Sequence, residues 1–503
     1  MVAAALAAII ALPAAQGMEL AGVPTADDST AWLYNPLQVN EIDLSASQAA
    51  LDSLRANPRT YVDAQITLHD GTAAYGPYAV GLKLKGQSSF RDLDGKAAFR
   101  IKFDYSVPHQ EFEGLKNLTL NNMVQDPSMI AEASSSIVMR AVGLPASRVG
   151  YAYVSLNGAE YGLYANVETV DKVMAKRWFP STQHIYEANY TADVIPGDVG
   201  AFDISTGSSK DTSDLQALIN AASGSASGWT QRMNLVADLK EMTLAFAVEH
   251  YVGQFDGYSY GSTQAQPNNY DLHSDDSGLF SIIITGTDQT WTDGPNFGLT
   301  GNGVLLRECL VAEGCEPLYT QALQQIAANK QVAALATTAR AIDTAIAPWR
   351  KRDPRREQSV ADGEASADAK IALMAARPAE LKSWLGLSSS SSTTTAKSAA
   401  ASSVRPLFGK PAAGSATPSA GKQFTFVLPV TRSDTGTVLT SGKLDASTSV
   451  GTTAIKTASS FAGGRIRLSL TVPKAVKGKL LKIKVQLTAA GQTALGIYTY
   501  TVR

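Results

Sequence analysis

Tyr61-Val62-Asp63-Ala64-Gln65-Ile66-Thr67-Leu68, Ala79-Val80-Gly81-Leu82-Lys83-Leu84-Lys85 and Ala98-Phe99-Arg100-Ile101-Lys102-Phe103 share one pattern, a period of two. Successive side chains of a strand point to opposite faces, so each segment reads as a strand with one buried face. Gly and Asp turns separate them, which predicts an antiparallel meander over 61–103. Upstream, Val39-Asn40-Glu41-Ile42-Asp43-Leu44 reads as a further strand, followed by a short helix that closes at Asn57-Pro58. Downstream, Leu118-Thr119-Leu120 precedes a helix over 128–142, stopped by Gly143 with Pro145 just beyond. Asn157-Gly158 between alternating segments predicts a tight hairpin, because both turn residues must accept positive φ.

The pattern then changes. Helical periodicity covers 215–251, 318–350 and 365–385, so a β-rich part is followed by a mostly helical one. The stretch 387–403, with Ser-Ser-Ser-Ser-Ser-Thr-Thr-Thr-Ala-Lys-Ser at its heart, is too polar and repetitive to pack and reads as a linker. Short alternating segments at 424–428, 465–472, 481–487 and 497–502 predict a small all-β sandwich. The fold class expected is α+β: a two-lobed domain with a β-rich first lobe and a helical second lobe, then the sandwich. The boundaries expected are 1–17 for a signal peptide, 18–386 for the large domain, 387–404 for the linker and 405–503 for the sandwich.

A chain of 503 residues, 45% hydrophobic and 17% charged, can bury more than one core. Its net charge of −2 gives no basic excess with which to hold nucleic acid. Residues 2–15 are almost wholly apolar and Ala15-Gln16-Gly17 offers small side chains for cleavage, which predicts export and a secreted or cell-surface location. That run is too short to span a bilayer, and no other stretch approaches the length a span needs. Cys309 and Cys315 are the only cysteines, and in an exported chain a close pair predicts a local disulfide.

Chemistry concentrates between Asp256 and Trp291. Asp256 opens this stretch, Asn268-Asn269-Tyr270 makes a turn, and an apolar run ends in Thr287-Asp288-Gln289-Thr290-Trp291. Aspartates at both ends of a strand-turn-strand unit can set a base and a metal ligand beside one phosphate, which points to phosphoryl transfer. In the β-rich part, Lys85-Gly86-Gln87-Ser88-Ser89-Phe90 is a Gly turn whose amides can approach phosphate, and Gly95-Lys96 leads into the strand ending Lys102-Phe103. Glu168, just after the strand through 161–167, can orient such a lysine or sit at a helix entrance. His69, His109, His184, His250 and His273 show no His-Glu-x-x-His spacing, and no Gly-x-Ser-x-Gly element joins a triad. The basic cluster Arg350-Lys351-Arg352 with Arg355-Arg356 reads as a solvated loop.

In order, these segments resemble the CotH kinase family, spore-coat protein H-like secreted atypical protein kinases. Lys85-Gly86-Gln87-Ser88-Ser89 resembles the family's Arg-Gly-Asn-Ser-Ser turn, and Gly95-Lys96-Ala97-Ala98-Phe99 its Pro-Lys-Lys-Ser-Phe strand. Leu118-Thr119-Leu120-Asn121-Asn122 with Asp126, then Asn157-Gly158, Tyr161-Gly162-Leu163-Tyr164 and Glu168, follow the same order, as do 250–258 and Asn268-Asn269-Tyr270. The resemblance covers about 40–385.

The resemblance implies ATP and a magnesium or manganese ion as cofactors. It implies that Asp256 is the catalytic-loop aspartate and that Asp288 binds the metal, with Asn269 a second metal or loop contact. It also implies that Lys96 or Lys102 pairs with Glu168 to hold phosphates, beside Lys85 and Ser88 of the turn. Two positions depart from the family. Gly286 stands where the family's Pro-Trp-Asp-x-Asp has its first carboxylate, with Asp271, Asp275, Asp276 or Asp293 as substitutes, and Lys85 replaces an arginine fork. The activity implied is transfer of phosphate to Ser or Thr of envelope or coat proteins, the partner being a protein with Ser/Thr-rich segments. The alternatives are a catalytically degenerate member that acts in surface assembly, and an adhesin whose sandwich contacts cell-wall or surface polysaccharide.

Overall fold

The computed structural model describes residues 28–208, 210–225, 227–259, 266–292, 297, 301–387, 406–408, 417–432, 438–450, 453–489 and 492–503. The expected signal peptide at 1–17, the linker at 387–404 apart from Leu387, and Asp293 lie outside the described residues. The architecture is mixed α/β, and the chain divides into two compact units, Met1–Ser388 and Ser389–Arg503.

The first unit begins with seven strands: β1 (Val39–Ser45), β2 (Val62–His69), β3 (Ala74–Lys85), β4 (Ala98–Lys102), β5 (Asn117–Asn121), β6 (Val149–Leu156) and β7 (Ala159–Val167). They close into a barrel in the order β1-β2-β3-β4-β5-β7-β6. The meander β1 to β5 is antiparallel throughout, and closure comes from a parallel pairing of β1 with β6, Ile42 facing Val154. Ile42, Leu44, Ile66, Leu82, Leu84, Phe99, Ile101, Leu118 and Leu120 fill the barrel as one apolar cluster. The same alternation turns Lys83, Lys85, Arg100 and Thr119 outward from β3, β4 and β5. Asn157 (φ 51°) and Gly158 (φ 78°) form the tight turn between β6 and β7.

Helix α1 (Gln48–Ala56) follows β1, and α2 (Ala131–Ala141) crosses between β5 and β6. The helix α2 starts three residues later than its periodicity suggests, because Asp126 accepts hydrogen bonds from the backbone N–H groups of Ser128 (3.1 Å) and Ala131 (2.9 Å) and holds the entry as a turn. Past β7 come α3 (Lys172–Trp178), α4 (Ser213–Ala222), α5 (Trp229–Met233), α6 (Leu239–Val252), α7 (Val304–Cys309), α8 (Glu316–Ala328), α9 (Lys330–Ala333), α10 (Leu335–Arg352) and α11 (Val360–Trp384). A second sheet lies among them, ordered β11-β10-β8-β9, from β8 (His184–Ala188), β9 (Phe202–Thr206), β10 (Tyr270–Ser274) and β11 (Phe280–Ile284). This sheet packs in one large core with α2, α6, α8, α10 and α11. The expected close cysteine pair is a disulfide, Cys309–Cys315, with Cα atoms 5.1 Å apart.

The second unit holds two four-stranded sheets. One is β12-β13-β17-β16, from β12 (Pro406–Phe408), β13 (Gln423–Arg432), β16 (Thr457–Ala462) and β17 (Arg465–Thr471). The other is β15-β14-β18-β19, from β14 (Lys443–Val450), β15 (Thr453–Ile455), β18 (Leu480–Ala489) and β19 (Gln492–Thr501). Phe424, Phe426, Ile466 and Leu468 of one sheet and Val450, Leu481, Ile483 and Val485 of the other form a single core. No helix among the described residues is long and apolar enough to cross a membrane.

Candidate functional site

Helix α6 is capped at both ends: the Asp238 side chain accepts from Glu241 N–H, and Gly253 (φ 68°) ends it in the left-handed conformation. The chain then turns into the loop that carries Asp256. Glu249, one turn before the helix end, is fully buried and accepts from Tyr258 N–H (2.8 Å) and Ser259 N–H (2.7 Å), fixing that loop. Asn269, at φ 51°, donates through its amide to the Asp256 carbonyl (2.8 Å) and carboxylate Oδ2 (3.0 Å). The Asp256 carboxylate is therefore half-buried and aimed by a neighbour.

Asp288 sits in a short 3-10 turn, Thr287–Gln289, entered through Gly286 at φ 56°. The turn is pinned to α2, where Ser135 Oγ meets Thr290 Oγ1 at 2.8 Å and accepts from Trp291 Nε1 at 3.0 Å. Burial and then the nearby Asp126 push the Asp288 carboxyl up to about 6, while Lys85 opposes the rise. Glu132, in the first turn of α2, is raised by burial and by Asp288 to about 8, against the pull of Lys85 and a 3.0 Å hydrogen bond from Asn121. At the end of β3, loss of hydration lowers the Lys85 pKa, with Glu132 and Asp288 acting the other way. Three carboxyls and one ammonium thus share one poorly hydrated region. Perturbed groups gathered in a cleft mark candidate functional sites.

One cavity of about 860 Å³ is lined by Lys85, Ser88, Glu168, Asp256, Asn269 and Asp288 together. Lys96 and Lys102 do not line it. The Lys96 ammonium is buried against Asp353 at 2.6 Å, and Lys102 lies 3.6 Å from Asp104 near the surface. Glu168 pairs with Arg148 (2.8 Å) and Arg177, so the expected pairing with Lys96 or Lys102 does not form; Glu132 is the carboxyl that faces the cavity lysine Lys85. Of the substitutes for the carboxylate absent at 286, Asp271 lines the cavity, whereas Asp275 caps the β10–β11 turn through Ser277 and Leu279. Asp276 is exposed at the same turn.

Sequence reasoning missed Glu132, Lys83, Arg100 and Glu187, all cavity residues. Signals for them existed. Glu132 is the lone acid in the Ala-Glu-Ala-Ser-Ser-Ser-Ile-Val-Met run, and alternation places Lys83 on the face of Lys85, opposite Arg100 in register. No three His, Cys, Asp or Glu side chains converge on one point among the described residues. A single carboxylate, Asp288, with the Asn269 amide oxygen fits an ion that takes its remaining ligands from phosphate and water, as magnesium does.

A family model described as CotH kinase protein matches residues 82–385, more than half of the chain. Inner spore coat protein H of Bacillus subtilis (strain 168) is 26% identical over 220 residues, which cover 41% of this chain and 57% of that relative. The chain thus spans little more than half the length of that curated relative. Among solved structures, a chimeric titin Z1Z2 functionalised with a decorin peptide is 16% identical over 20% of this chain and 96% of its own, with a TM-score of 0.15. The twitchin kinase fragment of C. elegans is 8% identical over 81% of this chain and 90% of its own, with a TM-score of 0.18. Scores this low carry no argument about the fold.

Proposed function

The chain belongs to the CotH kinase protein family, and we propose that it is a phosphotransferase moving the terminal phosphate of ATP to Ser or Thr hydroxyls of a coat or envelope protein. The observation that carries this reading is the single cavity in which Asp256, aimed by Asn269, faces Lys85, Glu132 and Asp288. Asp256 would orient the incoming hydroxyl and receive its proton as the new ester bond forms. Lys85, kept near Glu132 and Asp288, would hold the phosphates, and the Gly86 turn with Ser88 would offer amides and a hydroxyl to their oxygens. Asp288 and Asn269 would hold a magnesium or manganese ion, which when bound neutralises charge on the phosphates. The barrel and the helix-rich remainder of the first unit would then be the two lobes of a kinase-like domain. The Ser/Thr-rich stretch 387–403 is a candidate acceptor in the same chain, and export through the apolar segment 2–15 would bring the enzyme to a surface substrate.

The test is transfer of label from γ-labelled ATP by the purified chain with magnesium or manganese. Label is expected on the wild type, absent from Asp256→Ala and Asp288→Ala, and reduced about a hundredfold in Lys85→Met. A second reading, a non-catalytic assembly protein, is favoured by Gly286 in place of a carboxylate. No label and no nucleotide-induced rise in melting temperature would decide for it, since a ligand that binds only the folded state must stabilise it.

A further inference from the structure

The cavity holds a second charged group that phosphoryl transfer does not use. Asp271 on β10 and Glu187 on β8 are direct cross-strand partners and both line the cavity. Lys83 on β3 and Arg100 on β4, also cross-strand partners, line it from the barrel. Asp271 is only 7% exposed, yet its carboxyl has no hydrogen-bond partner among the described residues. Buried polar groups are nearly always satisfied, so one left open inside a cavity asks for a donor from a ligand.

Position says which part of a ligand arrives there. Asp271 follows Asn269 by two residues, and Lys83 precedes Lys85 by two. The Lys83 to Lys85 step is one alternation of β3, about 7 Å, and Asp271 lies inside β10 just past the turn that holds Asn269. The Asp271 and Glu187 tier is therefore displaced from the phosphate end by roughly the length of a diphosphate, where the sugar of a nucleoside triphosphate would lie. Burial, and then the facing Glu187, push the Asp271 carboxyl well above its usual range, so a neutral group rich in hydroxyls suits this tier better than another ion.

We propose that Asp271 and Glu187 accept hydrogen bonds from the ribose hydroxyls of the phosphoryl donor and make the site selective for ribonucleotides; this rests on the phosphotransferase reading above. The full chain is titrated with ATP, 2′-deoxy-ATP, 3′-deoxy-ATP and inorganic triphosphate, each with magnesium. ATP is expected to bind about tenfold more tightly than at least one deoxy analogue, a difference of about 1.4 kcal/mol. Asp271→Val and Glu187→Ala should each shrink that ratio, and Glu187→Ala should do so while triphosphate affinity stays at the wild-type value. Asp271→Val should also raise the melting temperature without nucleotide, because it removes a buried carboxyl that has no partner. Should it fail to fold, Glu187→Ala, at an exposed position, still decides. Equal binding of ATP and both deoxy analogues, or a ratio untouched by either substitution, overturns the ribose assignment alone. Absence of all binding, triphosphate included, overturns the phosphotransferase reading and this inference with it.

Discussion

Glu249 belongs to no motif, yet it is the carboxylate on which the Asp256 loop hangs. Burial raises it from 4.5 to about 7, outweighing the hydrogen bonds from Ser259 and Tyr258 that favour the charged form. The folded protein therefore binds this proton more tightly than the unfolded chain. Its contribution to stability is complete below pH 4.5 and is lost as pH rises through about 7. The loss amounts to roughly 3 kcal/mol at 1.36 kcal/mol for each pH step. Chemical denaturation of wild type and Glu249→Gln from pH 4 to 8.5 checks this: the wild type should lose stability relative to the variant across that window, and a constant difference would refute the assignment. At Gly286 the argument is steric. A β-carbon there would lie 2.5 Å from Asn269 Oδ1, at a φ of 56° that side chains rarely adopt. Gly286→Asp, which restores the carboxylate expected from the family pattern, should destabilise the protein by about 1–3 kcal/mol and fail to raise nucleotide affinity. Combined with Asn269→Ala, which opens the space, it should cost measurably less, a coupling that a double-mutant cycle reads directly.

Between elements, the firmest joint is built on a residue that sequence assigned to phosphate. Lys96, ahead of β4, meets Asp353 just past the end of α10 at 2.6 Å, with side chains 1% and 0% exposed. Asp353 also accepts from Leu163 N–H of β7 (3.1 Å) and Arg355 N–H (2.8 Å). Gly162 leaves room for this, since a β-carbon there would sit 2.3 Å from Asp353 Oδ1. Removing one partner strands a buried charge, so Lys96→Met or Asp353→Leu should cost about 3–5 kcal/mol in urea denaturation, and the double substitution less than their sum. A lysine after a glycine reads alike in sequence whether phosphate or a distant carboxylate meets it, which is why Lys96 misled. Local features were legible for the opposite reason. The strand alternation, the Asn157-Gly158 turn and the Gly143 stop of α2 (φ 81°) are set by neighbours in the chain. The parallel β1–β6 pairing that closes the barrel, and the joining of β8 to β10, depend on partners roughly a hundred residues away and leave no local mark. The same holds for Glu132, whose meaning depends on Lys85 and Asp288 arriving beside it.

At the scale of the molecule, each apolar cluster among the described residues draws on one side of the division at 388–389. Two clusters draw only on residues of the first unit, and a third only on residues of the second. Every residue of the candidate site, from Arg59 to Gln289, belongs to the first unit. A unit that closes its own core can fold alone, so the fragments 28–387 and 406–503 should each unfold cooperatively. Calorimetry of the full chain should then resolve into their two transitions. Saturating ATP with magnesium should raise the transition of the larger fragment, by about 2.7 kcal/mol at a hundredfold excess over Kd, and leave the smaller one in place. A nucleotide-induced shift of the smaller fragment in isolation would put a binding site in the two-sheet unit and defeat the assignment. Nucleotide shifting both transitions in the full chain but only the larger in isolation would instead mean that the unfolding of the two units is coupled. In that case the second unit would bear on catalysis, and removing it should change the rate of phosphate transfer as well as the stability.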